Sequence, residues 1–566
     1  MTKKIHSIKI NPPIAIARLG SSSTSVDAYQ WTRPGNPRWD GETAIQPDWT
    51  LKIAPDGSVR PELPTEIVFR DGDAIRPVSP FFEIWVLTGE ENDLPEAWIS
   101  ERLTLALLRE YVDDRFRDNP LAALTLTVSA VNRKAARRAG NPLLEFGTFP
   151  NVSTKFDNFS RIKLRGTSPP NSPTPLIPKD REIPLGFVQV VRPRVQLETE
   201  AWSNYVKVDT IRFRFTPAQG LSYGPPQAAL PRALPAPWAN KSWPVVKPEH
   251  AFLETNAGWY GVDGNASGVL EPWDTYDGAE QEDARSLGIV DDTCEARIEV
   301  TLDLPTNAQG PQQALGHCNV WVGPPDFSPD RRPFLSIADE INDRASTASI
   351  STRDTDLDLG QLDGWAQDLF ERVYEVISVM NVDFWRNRRA VNLESAQIGT
   401  PIQGDQIGVG EEQPRAMSSV DKLRNRDFSI LSATTTDRLP LSKHARTRHR
   451  ALADVDALKQ FIAQNPGRLK EIIRGAFTVA DKESSDRTNM QMPPFMRQSN
   501  AMPLTLARWQ YELLMRWVEG IENDATSSLN LHAFSISTPK QLSGSAAARR
   551  EAILTRLNSN PATPNE

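Results

Sequence analysis

The stretch HCNVWVGPPDFSPDRRPFLSI, residues 317–337, sets Cys318 three residues before Trp321 and then breaks the chain at Pro324, Pro325 and Pro329. Cysteine and tryptophan can be a packing pair, and they can be the raw material of a protein-derived quinone. An indole oxidised to an ortho-quinone and joined to a cysteine sulfur presents an electrophilic carbonyl. A primary amine condenses with it, and a carboxylate then removes the α-proton. In a strand, residues three apart point to opposite faces, so Cys318 and Trp321 do not meet. The stretch reads as a core strand ending in a proline turn. The other cysteine, Cys294, has no tryptophan nearer in sequence than Trp273.

Other catalytic signatures are missing. There is no P-loop, H-E-x-x-H, G-x-S-x-G elbow or Rossmann glycine fingerprint. Six histidines are scattered, and the nearest two, His444 and His449, are five apart, which suits a solvated basic face better than a shared metal. Asp354, Asp356 and Asp358 alternate like the start of a calcium loop, but Leu359 and Trp365 stand where such a loop needs glycine and glutamate. That segment reads as an acidic linker. VNRKAARR (131–138) and FWRNRR (384–389) carry arginines that could hold an anion, with a solvated turn as the plainer reading.

These residues must be positioned by a chain of 566 residues, 39% hydrophobic and 24% charged, the balance of a soluble globular protein. A net charge of −8 argues against broad nucleic-acid binding, which needs a basic surface. Two cysteines make no disulfide framework, and free thiols are expected. The opening MTKKIHSIKINPPIAIARLG lacks the apolar core of a signal peptide. No window reaches the roughly 18 apolar residues of a membrane span. A cytoplasmic protein without membrane association is expected.

The expected fold class is α+β, a β-rich N-terminal body (1–345) followed by a mainly helical C-terminal region (346–566). Residues 65–87 read as a hairpin around Asp71-Gly72-Asp73. Alternation predicts strands within 121–132, 206–217, 294–304 and 318–323. Helical spacing predicts one early helix over 98–116 and later ones over 363–385, 454–477, 505–521 and 545–557, with Asp363 as an N-cap. Proline-rich links occupy 168–184 and 225–248.

Several segments together resemble the family of L-lysine 6-oxidase and glycine oxidase, enzymes with a cysteine tryptophylquinone cofactor. INPPIAIARLGSS (10–22) is similar to the family's opening strand, which ends in Ala-Arg-Leu-Gly. FRDGDAIRPVSPFFEIWV (69–86) sits where the family has a hairpin, SAVNRKAARR (129–138) resembles its Ala-Asn-Lys-Lys-Ala-Ala segment, and NAGWYGVDGNASG (256–268) resembles the stretch that follows. VWVGPPDFSP (320–329) is similar to Trp-Val-x-x-Pro-Pro-Asp-Phe-x-Pro, the most specific match. MPLTLARWQYELLMRWVEG (502–520) resembles the family's late helix. In the family, the quinone-forming cysteine and tryptophan follow that helix. Here residues 521–566 hold no cysteine, tryptophan or tyrosine, so neither cofactor residue carries over and no cofactor is expected.

The resemblance therefore implies one of three roles. The chain is a scaffold or regulatory relative without the quinone, or one subunit of a two-chain oxidoreductase whose redox centre sits on a protein partner. The alternative is a repurposed enzyme acting on an amino acid or peptide in a biosynthetic pathway. Association into an oligomer is expected. The residues to inspect as catalytic are Tyr260, Asp263, His317 and Asp326. Each has a plainer reading: a core aromatic, a turn former, a strand end and a turn cap.

Overall fold

The computed structural model describes residues 3–32, 44–90, 94, 97–134, 149–195, 199–200, 202–229, 232–233, 242–243, 246–255, 289–307, 310–326, 329, 331–336, 339, 359–378, 455–473 and 506–527. The described residues form two units, one from 1–30 and 46–327, the other from 31–45 and 328–556. The boundary expected at 345 and the helix expected over 545–557 lie outside the described residues. The architecture is α+β, with strands in the N-terminal body and helices mainly in the C-terminal part.

In chain order the first unit contains β1 (Lys3–Asn11), β2 (Ile14–Arg18), the hairpin β3 (Thr50–Ile53) and β4 (Val59–Glu62), β5 (Phe81–Glu90) and β6 (Ile99–Arg102). Helix α1 (Leu105–Tyr111) precedes β7 (Leu124–Val131), β8 (Val152–Lys155), β9 (Ile162–Gly166), β10 (Ile183–Val191) and β11 (Arg212–Thr216). The short β12 (Ser222–Tyr223) and β13 (Val290–Asp291) pair, and the long β14 (Glu295–Asn307) and β15 (Gly310–Gly323) follow. One sheet runs β1-β5-β11-β10-β9, with β6 also on β5, and a second runs β8-β7-β14-β15-β2. Within these sheets only β2 and β15 run parallel.

The sheets form because their strands alternate. β7, LTLTVSAV, buries every second residue from Leu124 to Ala130. β5 does the same with Phe82, Ile84 and Val86, and β11 with Phe213 and Phe215. Both inner faces feed one core, in which the Phe82 and Phe213 rings stack at 5.0 Å. Each such ring contributes about 1.5–3 kcal/mol by leaving water.

The helix expected over 98–116 is shorter than its apolar spacing suggests. Residues Ile99–Arg102 instead pair with Trp85–Thr88 of β5, and α1 spans only seven residues. An open stretch of β5 satisfies backbone groups that a longer helix would otherwise have to pair. Thr104 then caps α1, its hydroxyl accepting from the Leu107 N–H at 3.2 Å.

The second unit packs α2 (Leu359–Ser378), α3 (Val455–Gln464), α4 (Arg468–Ile472) and α5 (Arg508–Ser527). Its core holds Trp365, Leu369, Phe370, Leu458, Leu514 and Trp517. The single helix expected over 454–477 is divided after Gln464, and Gly467 at φ +74° stands at the start of α4. The Gly467 N–H donates to Glu522 Oε1 at 2.7 Å. Asp363 is not an N-cap. The helix starts at Leu359, and the Asp363 carboxylate inside it accepts from Trp517 Nε1 at 2.8 Å and Lys459 Nζ at 2.6 Å. Among the described residues no helix is long and apolar enough to cross a membrane.

Candidate functional site

The face of the first sheet turned away from the core carries charge. Outward positions on β5 are Phe81, Glu83 and Trp85, and on β11 they are Arg212 and Arg214. The register sets Arg212 opposite Glu83 and Arg214 opposite Phe81. The β3–β4 hairpin is fastened to this sheet by Gln189 on β10, whose Nε2 donates to the carbonyls of Ala54, Pro55 and Phe159 at 3.0–3.1 Å. The hairpin turn depends on Gly57 at φ +80°, where a Cβ would lie 2.6 Å from the Phe159 Cβ.

Between these elements and the segments 23–29 and 204–207 lies a cleft of about 910 Å³, inside the roughly 300–1,000 Å³ of small-molecule sites. Six cations line it, Lys52, Arg102, Arg161, Lys207, Arg212 and Arg214, against two carboxylates, Asp27 and Glu83. Glu83 accepts from Arg212 Nη2 at 2.6 Å and from Arg102 Nε at 3.0 Å. Burial alone would raise its carboxyl, but the two guanidiniums, Arg212 foremost, hold it below the ordinary value. Asp27 is buried beside Lys52, and Arg76 reaches it at 3.5 Å.

Arg214 is different. Its Nε is buried without an acceptor, and its guanidinium lies over the Phe81 ring at 5.1 Å. Burial first, then the neighbouring Arg161, pull it down to about 10, with Asp27 opposing. It stays charged at neutral pH. The rim is aromatic: Trp49 and Tyr205 stack at 6.1 Å, and Tyr205 is 72% exposed.

A second titratable group lies near the β12–β13 pair. The Asp292 carboxylate is buried and accepts from the Gly220 and Leu221 N–H groups at 3.0–3.1 Å. Burial pushes it up to about 6, although these backbone donors pull the other way. The Tyr223 hydroxyl is buried without a partner and raised by burial, then by Asp292 and Glu182. Cys294 is pushed up to about 12 by burial, then by Asp292 and Glu295. A thiol held that high is no nucleophile at neutral pH. The group clamps a turn.

Of the residues expected to be catalytic, Tyr260 and Asp263 lie outside the described residues. His317 is half-buried on β15, opposite Glu299 of β14. Asp326 is exposed beyond the end of β15, with Arg18 Nη2 at 3.8 Å. Neither lines the cleft. The residues missed are Arg161, Arg212 and Arg214. The signal for Arg212 and Arg214 was the alternation Arg-Phe-Arg-Phe at 212–215, in which a strand with an apolar inner face carries guanidiniums on the other.

Both cysteines are free and buried. The core cluster that holds them contains no tryptophan. On β15, Cys318 is fully buried while Trp321 is half-buried on the opposite face. The described residues therefore do not fit a cysteine tryptophylquinone built from either thiol. Among the described residues no group of three or more His, Cys, Asp or Glu is placed to hold a metal ion.

No family model matches the chain, and no curated protein matches it. Among solved structures, the chain is similar to the L-Lys ε-oxidase of Marinomonas mediterranea at 13% identity and a TM-score of 0.36, over 91% of this chain and 61% of that one. The Schiff base intermediate of that oxidase with L-Lys matches at 13% identity and a TM-score of 0.37, with the same coverage. A further crystal structure of the oxidase matches at 15% identity and a TM-score of 0.27, over 60% of this chain and 39% of that one. The chain thus spans 39–61% of the length of the structures it matches.

Proposed function

We propose that the chain is an L-lysine 6-oxidase-like protein without a cysteine tryptophylquinone of its own, and that it works by binding an amino acid or peptide in the arginine-lined cleft. Support for the scaffold comes from three of the resembling segments, which converge on Arg18. The Arg18 and Val78 backbones exchange hydrogen bonds at 3.1–3.2 Å, and the Leu19 N–H donates to the Gly323 carbonyl at 3.0 Å. Gly20 permits this approach, since a Cβ there would lie 2.5 Å from Pro77 N. The Ala-Arg-Leu-Gly, hairpin and Pro-Pro-Asp-Phe segments are thereby one local structure.

The observation that carries the binding role is the cleft, concave, of ligand size and rich in cations. Such a site favours an anionic group over a cationic one. Binding without chemistry suits a scaffold or regulatory chain, or a subunit that delivers its ligand to a redox partner. The test has two parts. Intact mass and a visible spectrum of the purified chain should show an unmodified, colourless protein, and calorimetry should show heat on adding amino acids or dipeptides. A chain coloured by an oxidised, cross-linked tryptophan overturns the first half, and absence of binding overturns the second.

A further inference from the structure

The two carboxylates of the cleft are already neutralised, Glu83 by Arg212 and Arg102, Asp27 by Lys52 and Arg76. Among the described residues, no carboxylate forms an ion pair with Arg161 or Arg214. Each is held by an aromatic ring, Arg161 over Phe187 at 4.8 Å and Arg214 over Phe81 at 5.1 Å. Two guanidiniums held near each other without an ion-pair partner among the described residues, with the already paired Asp27 acting on Arg214 only at longer range, are pre-organised for an oxyanion, because each can offer a fork of N–H donors. An ammonium entering the same cleft meets no unneutralised carboxylate and a surplus of positive charge.

We propose that Arg161 and Arg214 form a carboxylate seat, so that the cleft takes a net-anionic amino-acid derivative or peptide C-terminus and turns away dibasic amino acids such as L-lysine. This rests on the reading of the cleft as an amino-acid or peptide site. The exposed Tyr205, stacked on Trp49 at the rim, adds a surface for an aromatic side chain of the ligand.

The test is calorimetric titration of the full chain with N-acetyl-L-tyrosine, L-lysine and inorganic phosphate. It is repeated on Arg161→Gln, Arg214→Met, Arg214→Lys and the cleft-narrowing Asn204→Trp, which alters an exposed lining residue. N-acetyl-L-tyrosine should bind at least about tenfold more tightly than L-lysine or phosphate, and Arg161→Gln and Arg214→Met should each weaken it about tenfold. Arg214→Lys should recover only part of the loss, having the charge without the fork. Arg161 is exposed, so its variant reports on the seat even if the Arg214 variants fold poorly. Equal or tighter binding of L-lysine overturns the proposal. Phosphate binding as tightly as N-acetyl-L-tyrosine, with the same dependence on the arginines, overturns the carboxylate assignment. Loss of binding in Asn204→Trp with no change in the arginine variants overturns the seat but leaves the cleft as the ligand site. No binding of either amino-acid probe to the unaltered chain overturns both readings.

Discussion

In the helical unit, Asp363 sits inside α2 and is met by a lysine from α3 and an indole N–H from α5. That carboxylate has its donors within reach, and it joins three helices. The cleft of the β unit begins the same way, with Glu83 between Arg212 and Arg102. Two residues further along the same strand face, Arg214 has an aromatic ring and another arginine for neighbours, Asp27 only at longer range, and no acceptor at Nε. A polar centre built for stability closes its own hydrogen bonds. On the proposed reading of the cleft, the open guanidinium of Arg214 is kept for a ligand.

The contrast can be broken first at Arg212. Arg212→Met strips Glu83 of its main partner while leaving the carboxylate mostly buried, and should cost about 3–4 kcal/mol in urea unfolding. If the cost is near zero, Arg102 alone suffices and the two arginines on β11 are not so different. At the helical centre, Asp363→Ala removes the carboxylate that accepts from Lys459 and the Trp517 indole, and a loss of about 2–3 kcal/mol is expected. The near-ultraviolet circular dichroism of Trp517 should change with it. A loss well under that would mean the three helices hold by their apolar core alone.

The parts of this molecule that were legible in the sequence are those whose signal is local. Strands such as 124–131 and 212–216 alternate, and a period of two fixes their faces without help from partners. The helices at 359–378 and 508–527 carry their own apolar stripe. The misses have a common cause. Residues 99–102 became a strand because β5 offered them a ladder, and Asp363 moved from cap to interior because Lys459 and Trp517, distant in sequence, meet it there. The cleft was invisible for the same reason. Arg161 and Arg214 come together only when β9, β10 and β11 align, and nothing in either local stretch marks the other. The motif residues His317 and Asp326 were singled out by resemblance, and the structure gives both a place on the β unit outside the cleft.

Asp292 sharpens the contrast from a third position, a buried carboxylate whose partners among the described residues are backbone N–H groups. Its folded value of about 6 lies above the ordinary 3.8. The folded state therefore binds its proton more tightly than the unfolded one, and stability rises as pH falls through 6. Asp56, Asp71, Glu83 and Asp291 are shifted the other way, and what they contribute is lost only as pH falls through their lowered values, beneath the ordinary carboxylate range. Between pH 7 and pH 5 the chain should gain about 1 kcal/mol, read as a rise in Tm. Asp292→Asn should flatten that rise. A gain that survives the substitution assigns it to another group.

The smallest expected effect is the most diagnostic, because its sign differs between the two kinds of polar centre. Arg214→Met keeps much of the side-chain volume over Phe81 and removes a desolvated charge and an unsatisfied donor. Residues kept for binding commonly cost stability, so the variant should melt about 1 °C higher, or about 0.5 kcal/mol more stable, in the absence of ligand. A guanidinium whose role is structural, like that of Arg212, would lower Tm when removed. The measurement is most telling with N-acetyl-L-tyrosine present. Ligand at about 100 times the Kd of the unaltered chain should raise the melting temperature of that chain and raise that of Arg214→Met only about half as much, since stabilisation follows RT ln(1 + [L]/Kd) and the variant binds about tenfold more weakly. A variant that melts higher without ligand and responds about half as much to it would show that Arg214 is kept in the cleft at a cost to the fold, which the paired arginine two residues away does not impose.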